Sequence, residues 1–329
     1  MPFPTDAAVV VEDVHKSFKD VHALRGISFQ APKGSVLGIL GPNGAGKTTT
    51  VKVLSTLIRP DSGRAMIAGY DAVRNAPEVR RSIMMTGQFA ALDNALTGRE
   101  NIELFAQLMG LDRASAKQRA ADLLEEFDLV EAGARTVANY SGGMRRRIDI
   151  ACGLVVRPEV VFLDEPTTGL DPRSRQSVWN LVQTLKEQGI TVLLTTQYLE
   201  EADLLSDNII VIDKGSVIAE GTADQLKART GASFCEIVPL SAELLGPAAN
   251  ALGNLLPPDF RFDIAKDNGK IAIPAPRGSA TLAEALRRLD HARIPLADIA
   301  LRRPSLDDVF LSLTGRPQAA EPGKAGEPA

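Results

Sequence analysis

The sequence predicts an α/β fold, in which a parallel sheet is covered by helices, followed by a small α+β domain. Over residues 1–230, short apolar runs of β-type residues alternate with helical patterns and glycine-rich turns, which is typical of a parallel sheet. Each run is apolar on both faces, as strands between two layers of helices are. The clearest strands lie at 36–40, 160–163, 191–195 and 209–212. Functional residues are expected beyond their carboxyl ends.

The first of these strands leads into a loop with the phosphate-binding pattern G-x-x-x-x-G-K-[ST]. Its glycines let consecutive backbone N–H groups face an anion, and the helix predicted over 49–58 adds the positive end of its dipole. Lys47 is expected to reach the β- and γ-phosphates of a nucleoside triphosphate, and the Thr48 hydroxyl to ligate Mg²⁺. The residues assigned to nucleotide binding here are Gly41, Pro42, Asn43, Gly44, Ala45, Gly46, Lys47, Thr48 and Thr49.

The alternative for this loop is a glycine-rich turn that contains a lysine by accident. Even as a phosphate site, the loop alone does not distinguish a kinase, a GTPase and an ATPase.

Residues of about 88–157 are predicted to form a helical insertion in the sheet domain. Thr97 and Glu100 make a capping box ahead of an apolar helical pattern, and a second helix is predicted over 113–127. A third helix begins at Ser141, which is a favourable N-cap. Because Gly142 and Gly143 leave the first amides of this helix open, its start can bind phosphate without a lysine. The alternative is a capped helix start with solvated arginines.

Two adjacent carboxylates follow the strand at 160–163. Asp164 fits the Mg²⁺ shell, and Glu165 fits a general base that orients water for attack on a γ-phosphate. Side chains of successive strand residues diverge, so the two can take different roles. The alternative is a polar strand end at a turn.

The residues after about 230 have a different pattern. Alternating apolar residues at 260–264 and at 271–273, followed by a helical pattern of leucines over 282–289, predict a small α+β domain. Residues 316–329 are almost all Pro, Gly, Ala and charged residues, and they are expected to be a disordered tail. The predicted domains are therefore 8–230, 231–315 and the tail.

Composition and charge exclude several classes of protein. With 44% hydrophobic and 24% charged residues, the chain is typical of a globular protein. Its longest run without a charged residue is 15 residues, 244–258, against the ~20 of a spanning helix, so no membrane crossing is expected. The first residues lack a secretory signal and 2 cysteines make no disulfide framework, which favours the cytosol. The 3 histidines argue against a zinc site, and the net charge of −4 argues against nucleic acid as a partner.

In order and spacing, several motifs together resemble the nucleotide-binding subunit of an ABC transporter. The resemblance covers about residues 8–230 and rests on 41–48, Gln88, 141–143, 163–166 and 169–172. Further similarity, to the daunorubicin-resistance subfamily of drug-export ATPases, lies at 86–89, 140–147, 195–203 and 306–311. It implies a P-loop NTPase sheet domain with a helical subdomain, and an accessory C-terminal domain.

The resemblance also implies roles for individual residues. Phe18 falls where the family has an aromatic that stacks on adenine, although a core phenylalanine in an early strand is an equal alternative. Gln88 matches the glutamine that touches Mg²⁺ and contacts the membrane partner. Asp171 matches the acidic residue that communicates between the two nucleotide sites. Residues 141–143 match the loop that covers the γ-phosphate of ATP held by the opposite subunit.

Partners follow from the same resemblance. The chain has one phosphate loop and one signature motif, the loop at 141–143. It therefore supplies one half of each of two composite sites and is expected to form a head-to-tail homodimer. It also needs a separate integral-membrane permease, which places it peripherally at the cytoplasmic side of the cell membrane. The expected reaction is Mg²⁺-dependent hydrolysis of ATP, driving efflux of a drug or hydrophobic molecule and thereby antibiotic resistance.

Two residues depart from the family pattern. Gln197 follows the strand at 191–195, where most relatives have a histidine. An amide can hydrogen-bond a γ-phosphate oxygen but cannot take up a proton, so we expect Glu165, Lys47 and Mg²⁺ to carry the chemistry while Gln197 only positions. A polar turn residue is the alternative for Gln197. Met144 replaces a common glutamine, which puts a side-chain contact to ribose in doubt.

Two other functions are alternatives to this one. A soluble ABC-type ATPase regulating ribosome or DNA processes usually joins two ATPase halves or carries long coiled coils, and the sequence has neither. A kinase with the same loop is disfavoured by the 141–143 motif and the carboxylate pair, which serve a facing subunit and a water nucleophile.

Overall fold

The computed structural model describes residues 6–86, 92–229, 233–256, 269–302 and 305–314, which fall into two compact units divided between Ala223 and Asp224. The strands are β1 (Ala7–Phe18), β2 (Val21–Pro32), β3 (Val36–Leu40), β4 (Ser62–Ile67), β5 (Tyr70–Asp71), β6 (Ile83–Thr86), β7 (Val160–Asp164), β8 (Thr191–Thr196), β9 (Asn208–Asp213), β10 (Ser216–Gly221), β11 (Phe234–Pro239), β12 (Ile271–Pro274) and β13 (Leu296–Arg302). The helices are α1 (Lys47–Leu54), α2 (Ala76–Ser82), α3 (Gly98–Leu108), α4 (Arg113–Glu126), α5 (Gly142–Gly153), α6 (Pro172–Glu187), α7 (Leu199–Leu205), α8 (Ala223–Arg229), α9 (Leu245–Leu252), α10 (Ser279–His291) and α11 (Leu306–Thr314).

The central sheet of the first unit has the strand order β10-β9-β3-β8-β7-β6. All neighbours are parallel except the β9–β10 hairpin. Every residue of β3, β7 and β8 is buried, which confirms the predicted strands between helical layers. Because β8 lies between β3 and β7, the carboxyl ends of the three strands carry the phosphate loop, the carboxylate pair and Gln197 side by side.

A second sheet, of order β2-β1-β4-β5 and antiparallel, was not predicted. Apolar side chains of β1 and β2, such as Val9, Ile27 and Phe29, share one core with Leu37 of β3 and Phe162 of β7. Bulges in the β1–β2 pairing interrupt the period-two alternation that identifies a half-buried strand. The apolar alternation in the sequence is therefore too irregular to identify these strands, although they are paired in the structure.

Helices α3, α4 and α5 occupy most of the described part of 88–157. The capping box at the start of α3 is confirmed: the Thr97 hydroxyl accepts from the Glu100 amide at 3.2 Å, and the Glu100 carboxylate accepts from the Thr97 amide at 2.8 Å. Ile102, Leu124 and Ile148 meet in one core that also includes residues under the sheet. The apolar faces of these helices thus fasten the start of α5 to the sheet.

The predicted helix over 49–58 has different ends in the structure. Helix α1 begins at Lys47 because Gly46, at φ 115°, turns the loop directly into the helix. It ends at Leu54, and Thr56 then adopts a left-handed conformation that a helix cannot continue through.

The second unit contains an antiparallel sheet of order β12-β11-β13, packed with α9 and α10. The predicted alternation at Ile271 and Ile273 is confirmed, since both are buried with Ala285 and Leu289 of α10. The predicted run at 260–264 and the tail at 316–329 lie outside the described residues. Within the described ranges, no helix is both long and apolar enough to span a membrane.

Candidate functional site

The loop between β3 and α1 is shaped for an anion. No side chain caps the first turn of α1, so its amides are left for another acceptor. Gly46 is required here, because a Cβ at its positive φ would lie 2.8 Å from the carbonyl oxygen of Ala23. This backbone fits a phosphate group at the amino end of α1.

Lys47 is buried inside that loop, with only 4% of its side chain exposed. Its Nζ donates to the carbonyl oxygens of Gly41 at 2.8 Å and Pro42 at 3.3 Å. Nζ also lies 3.3 Å from Oε1 of Glu165. The loop thus aims the lysine charge at the carboxyl end of β7.

Asp164 and Thr48 form a pair of hard oxygen ligands. The Thr48 hydroxyl donates to Oδ1 of Asp164 at 3.2 Å, and the Thr195 hydroxyl donates to the same oxygen at 2.6 Å. A hydroxyl and a carboxylate fit Mg²⁺, which takes one or two protein ligands and completes its shell with water and phosphate oxygens. No cluster of three His, Cys, Asp or Glu able to hold a metal occurs in the described parts of the chain. Gln88, the third predicted ligand, lies outside the described residues.

Glu165 turns away from Asp164, as expected for successive residues at a strand end. Its φ is 47°, an uncommon left-handed conformation for a residue with a side chain. The Glu165 amide donates to the Thr195 hydroxyl at 3.0 Å and to the Thr195 carbonyl at 3.1 Å, which holds this turn. Its Oε1 faces Lys47 and its Oε2 lies 3.4 Å from the Thr168 hydroxyl. Asp164 and Glu165 therefore contact different residues of the phosphate loop.

Thr195 is a residue of this site for which the 195–203 similarity predicted no role. It lies opposite Asp164 in the parallel register of β7 and β8, so one hydroxyl binds the Asp164 carboxylate and the Glu165 amide. The order of strands in the sheet cannot be read from local sequence patterns. Only the position of Thr195, close to Gln197 in the sequence, could have indicated a role for it in the site.

The start of α5 lies against the start of α6. Ser141 is confirmed as the N-cap of α5, since its hydroxyl accepts from the Met144 amide at 3.3 Å. Asp171 caps α6 by accepting from the Ser174 amide at 3.0 Å and the Ser174 hydroxyl at 2.6 Å. Both hydrogen bonds lower the pKa of the Asp171 carboxyl, and the bond from the Ser174 hydroxyl has the larger effect. Met144 is half-buried and packs against the core.

Gly143 of α5 lies against Ser174 of α6. A Cβ there would lie 2.2 Å from the Ser174 hydroxyl oxygen and 2.6 Å from Ser174 Cβ. We expect Gly143→Ala to lower the free energy of unfolding by about 1–3 kcal/mol, because the added methyl overpacks this contact. Chemical denaturation measures the change. Gly142→Ala is the matched control, since its nearest neighbour, Leu170, is 3.6 Å away; equal stability of the two variants would contradict the prediction.

The two remaining predicted residues lie at the edges of the site. Phe18 is the last residue of β1 and 47% exposed, with Lys16 Nζ 5.6 Å from its ring centroid, so the alternative of a core phenylalanine is wrong. Gln197 directly follows β8 and is half-buried.

A cavity of about 600 Å³ adjoins Glu165. One wall is the loop with Pro166, Thr168 and Leu170, and the other is the start of α5 with Gly142 and Arg145. The carboxylate of Glu165, the candidate general base, therefore faces open space, as a side chain that must contact water does.

Comparison with known proteins agrees with this geometry. Residues 24–168 match the family model described as ABC transporter. The doxorubicin resistance ATP-binding protein DrrA of Mycobacterium tuberculosis (strain CDC 1551 / Oshkosh) is 60% identical over 314 residues, which is 95% of each chain. The chain belongs to the ABC transporter family. Within this family, the daunorubicin resistance ATP-binding protein DrrA3 of Streptomyces coeruleorubidus is 51% identical over 94% of this chain and 96% of its own length.

Solved ABC cassettes share the fold of this ABC ATPase. The dimeric structure of a post-hydrolysis state of an ATP-binding cassette bound to ADP and Pi is similar with a TM-score of 0.60 and 26% identity, over 65% of this chain and 98% of that chain. The P-loop ABC ATPase fold is thus confirmed. The chain is the ATP-binding and ATP-hydrolysing subunit of an ABC exporter, and the alternative of a ribosome or DNA regulator is not favoured.

Proposed function

We propose that Glu165 is the general base of ATP hydrolysis in this chain and that Lys47 binds the γ-phosphate. The observation that carries this assignment is the 3.3 Å approach of Lys47 Nζ to Glu165 Oε1 at the carboxyl ends of β3 and β7. A phosphate that binds the loop amides meets the lysine and the carboxylate together. Gln197, at the end of the intervening β8, positions a phosphate oxygen.

Thr48 and Asp164 hold Mg²⁺ in this proposal, with Gln88 as a further ligand. When bound there, Mg²⁺ would supply positive charge that stabilises the phosphate oxygens. Lys47 exchanges its contact with Glu165 for phosphate oxygens, which leaves the Glu165 carboxylate to accept a proton from the attacking water. The Thr195 hydrogen bonds keep Asp164 and Glu165 in their separate orientations throughout.

The active state we propose is a head-to-tail homodimer. Ser141 and Gly142 are exposed at the start of α5, where they can approach ATP bound to a second copy. Asp171 caps α6, whose Ser174 lies against Gly143. Phe18 stacks on the adenine from its exposed position at the end of β1. The dimeric post-hydrolysis cassette, which covers 65% of this chain, supports this arrangement.

We further propose that the transported molecule is a drug such as doxorubicin, exported through a separate permease while this chain stays at the cytoplasmic face of the membrane. The support is the 60% identity to a protein named for doxorubicin resistance, over 95% of both chains. The second unit, which begins at Asp224 and includes the predicted domain over 231–315, is then an accessory domain of that exporter.

Transport in inverted membrane vesicles tests this proposal. Vesicles that contain the full chain and its permease are expected to accumulate doxorubicin when MgATP is added. The fluorescence of the drug measures its uptake. Vesicles with Lys47→Ala should not accumulate it, because the lysine that binds phosphate is absent. Vesicles that hydrolyse ATP without moving doxorubicin would contradict doxorubicin as the substrate but leave the ATPase assignment intact.

A further inference from the structure

Glu201 of α7 is a buried carboxylate that the proposed chemistry does not use. Its side chain is 0% exposed. Oε1 accepts two hydrogen bonds, from the Thr167 hydroxyl at 2.9 Å and from the Trp179 indole N–H at 3.1 Å. Oε2 is enclosed and accepts no hydrogen bond of normal geometry from a described residue. A buried carboxyl with one satisfied oxygen is costly, so its presence needs an explanation.

The partners of Glu201 lie on the segments that carry the catalytic candidates. Thr167 is two residues after Glu165, and its neighbour Thr168 donates to Oε2 of Glu165. Trp179 belongs to α6, the helix that Asp171 caps. Glu201 itself is four residues after Gln197. Oε1 of Glu201, on the helix that follows β8, is therefore hydrogen-bonded to both the loop after β7 and helix α6.

The charges around this carboxyl are those of Arg175 on α6 and Arg146 on α5. Burial raises the pKa of Glu201, while the nearby Thr196 hydroxyl, the Thr167 and Trp179 donors and the Arg175 charge act in the opposite direction. These two positive charges lie on the helix of the 141–143 motif and on the helix that Asp171 caps.

We propose that Glu201 is a positioning residue, which holds the loop after β7 through Thr167 and so keeps Glu165 aligned with Lys47. This inference rests on the proposed role of Glu165. Its link to the loop is Thr167, and the bond to Trp179 anchors Glu201 to α6. Movement of the loop on nucleotide binding is then transmitted to the environment of Trp179.

Two pairs of variants separate positioning from simple support of the fold. Glu201→Leu removes the acceptor at similar volume, and we expect kcat for ATP hydrolysis to fall about 10- to 100-fold with little change in KM, since small misplacements of catalytic groups have large costs. Glu201→Gln keeps an acceptor oxygen for both donors and should restore kcat. Glu200→Gln, on the exposed neighbour, is the matched control and should leave kcat unchanged.

Thr167→Val and Trp179→Phe each remove one donor to the same oxygen. Only Thr167 is on the loop of Glu165, so Thr167→Val should lower kcat as Glu201→Leu does, while Trp179→Phe lowers the melting temperature and leaves kcat near that of the unmodified chain. Equal losses of kcat in both variants, or an unchanged kcat in Thr167→Val, would overturn the positioning role.

Trp179 is the single tryptophan of the chain. Its fluorescence emission therefore reports directly on the hydrogen bonds around Glu201. MgATP is expected to change the emission of the unmodified full-length chain and of Glu201→Gln, and to have no effect on Thr167→Val. An identical change in Thr167→Val would refute the coupling even if Glu201→Leu did not fold. Fast hydrolysis by Glu165→Gln would instead refute the proposed role of Glu165, a separate result.

Discussion

Glu165→Gln is expected to slow ATP hydrolysis by about 100- to 10,000-fold, the usual contribution of a general base, while ATP still binds. The amide has nearly the same shape and its oxygen can still accept from Lys47, but it cannot take a proton from water. Phosphate release at saturating ATP measures the loss. Equilibrium binding should show that the variant still binds ATP. Light scattering of the protein as it elutes from a gel-filtration column should show that an ATP-bound dimer accumulates.

Glu159→Gln is the matched control for this prediction. Glu159 is exposed and directly precedes β7, whereas Glu165 directly follows that strand. Its replacement removes the same charge from the opposite end of the strand and should leave hydrolysis unchanged. Brisk turnover by Glu165→Gln would remove Glu165 from the role of base and leave Asp164 or a water network to be tested.

Lys47→Ala is expected to weaken ATP binding by about 10- to 100-fold, since a hydrogen bond to a charged group contributes ~1.5–3 kcal/mol and each 1.4 kcal/mol is tenfold. Hydrolysis should fall further, because the lysine also neutralises charge that develops on the phosphate. The carboxylate of Glu165, only 11% exposed, loses its ion-pair partner as well. Titration with a fluorescent ATP analogue measures the binding change.

Lys52→Ala controls for the loss of a positive charge on the same helix. Lys52 is exposed and lies in the last turn of α1, away from the loop. ATP affinity should be unaffected in this variant. If Lys47→Ala and Lys52→Ala had the same affinity as the unmodified chain, the buried lysine would have no part in phosphate binding.

The strands and the chemistry at their ends could be predicted because each depends on residues close together in the sequence. The apolar runs of β3, β7, β8 and β9 identify buried strands without reference to their neighbours. The phosphate loop needs only its glycines, its lysine and the helix that follows. The capping box at Thr97 and the N-cap at Ser141 are likewise local hydrogen-bonded structures.

Other features could not be predicted because they depend on segments that meet only in the folded chain. The β1–β2 hairpin is interrupted by bulges, so its exposure pattern departs from strict alternation. The orientation of Glu165 depends on Thr195, thirty residues away, through the register of two parallel strands. The contact of Gly143 with Ser174 depends on how closely α5 and α6 approach.

The sequence by itself determined the family, the nucleotide loop and the carboxylate pair, since spacing along the chain is sufficient to place a lysine, a hydroxyl and a helix end around one phosphate. Only the tertiary structure decided which side chains hold those groups in position. Thr195 and Glu201 lie in the 195–203 similarity, but no role follows from it for either residue, and their partners come from β7 and α6. Their roles arise because β8 is placed between β3 and β7, and strand order is set by packing of the whole sheet rather than by local propensity.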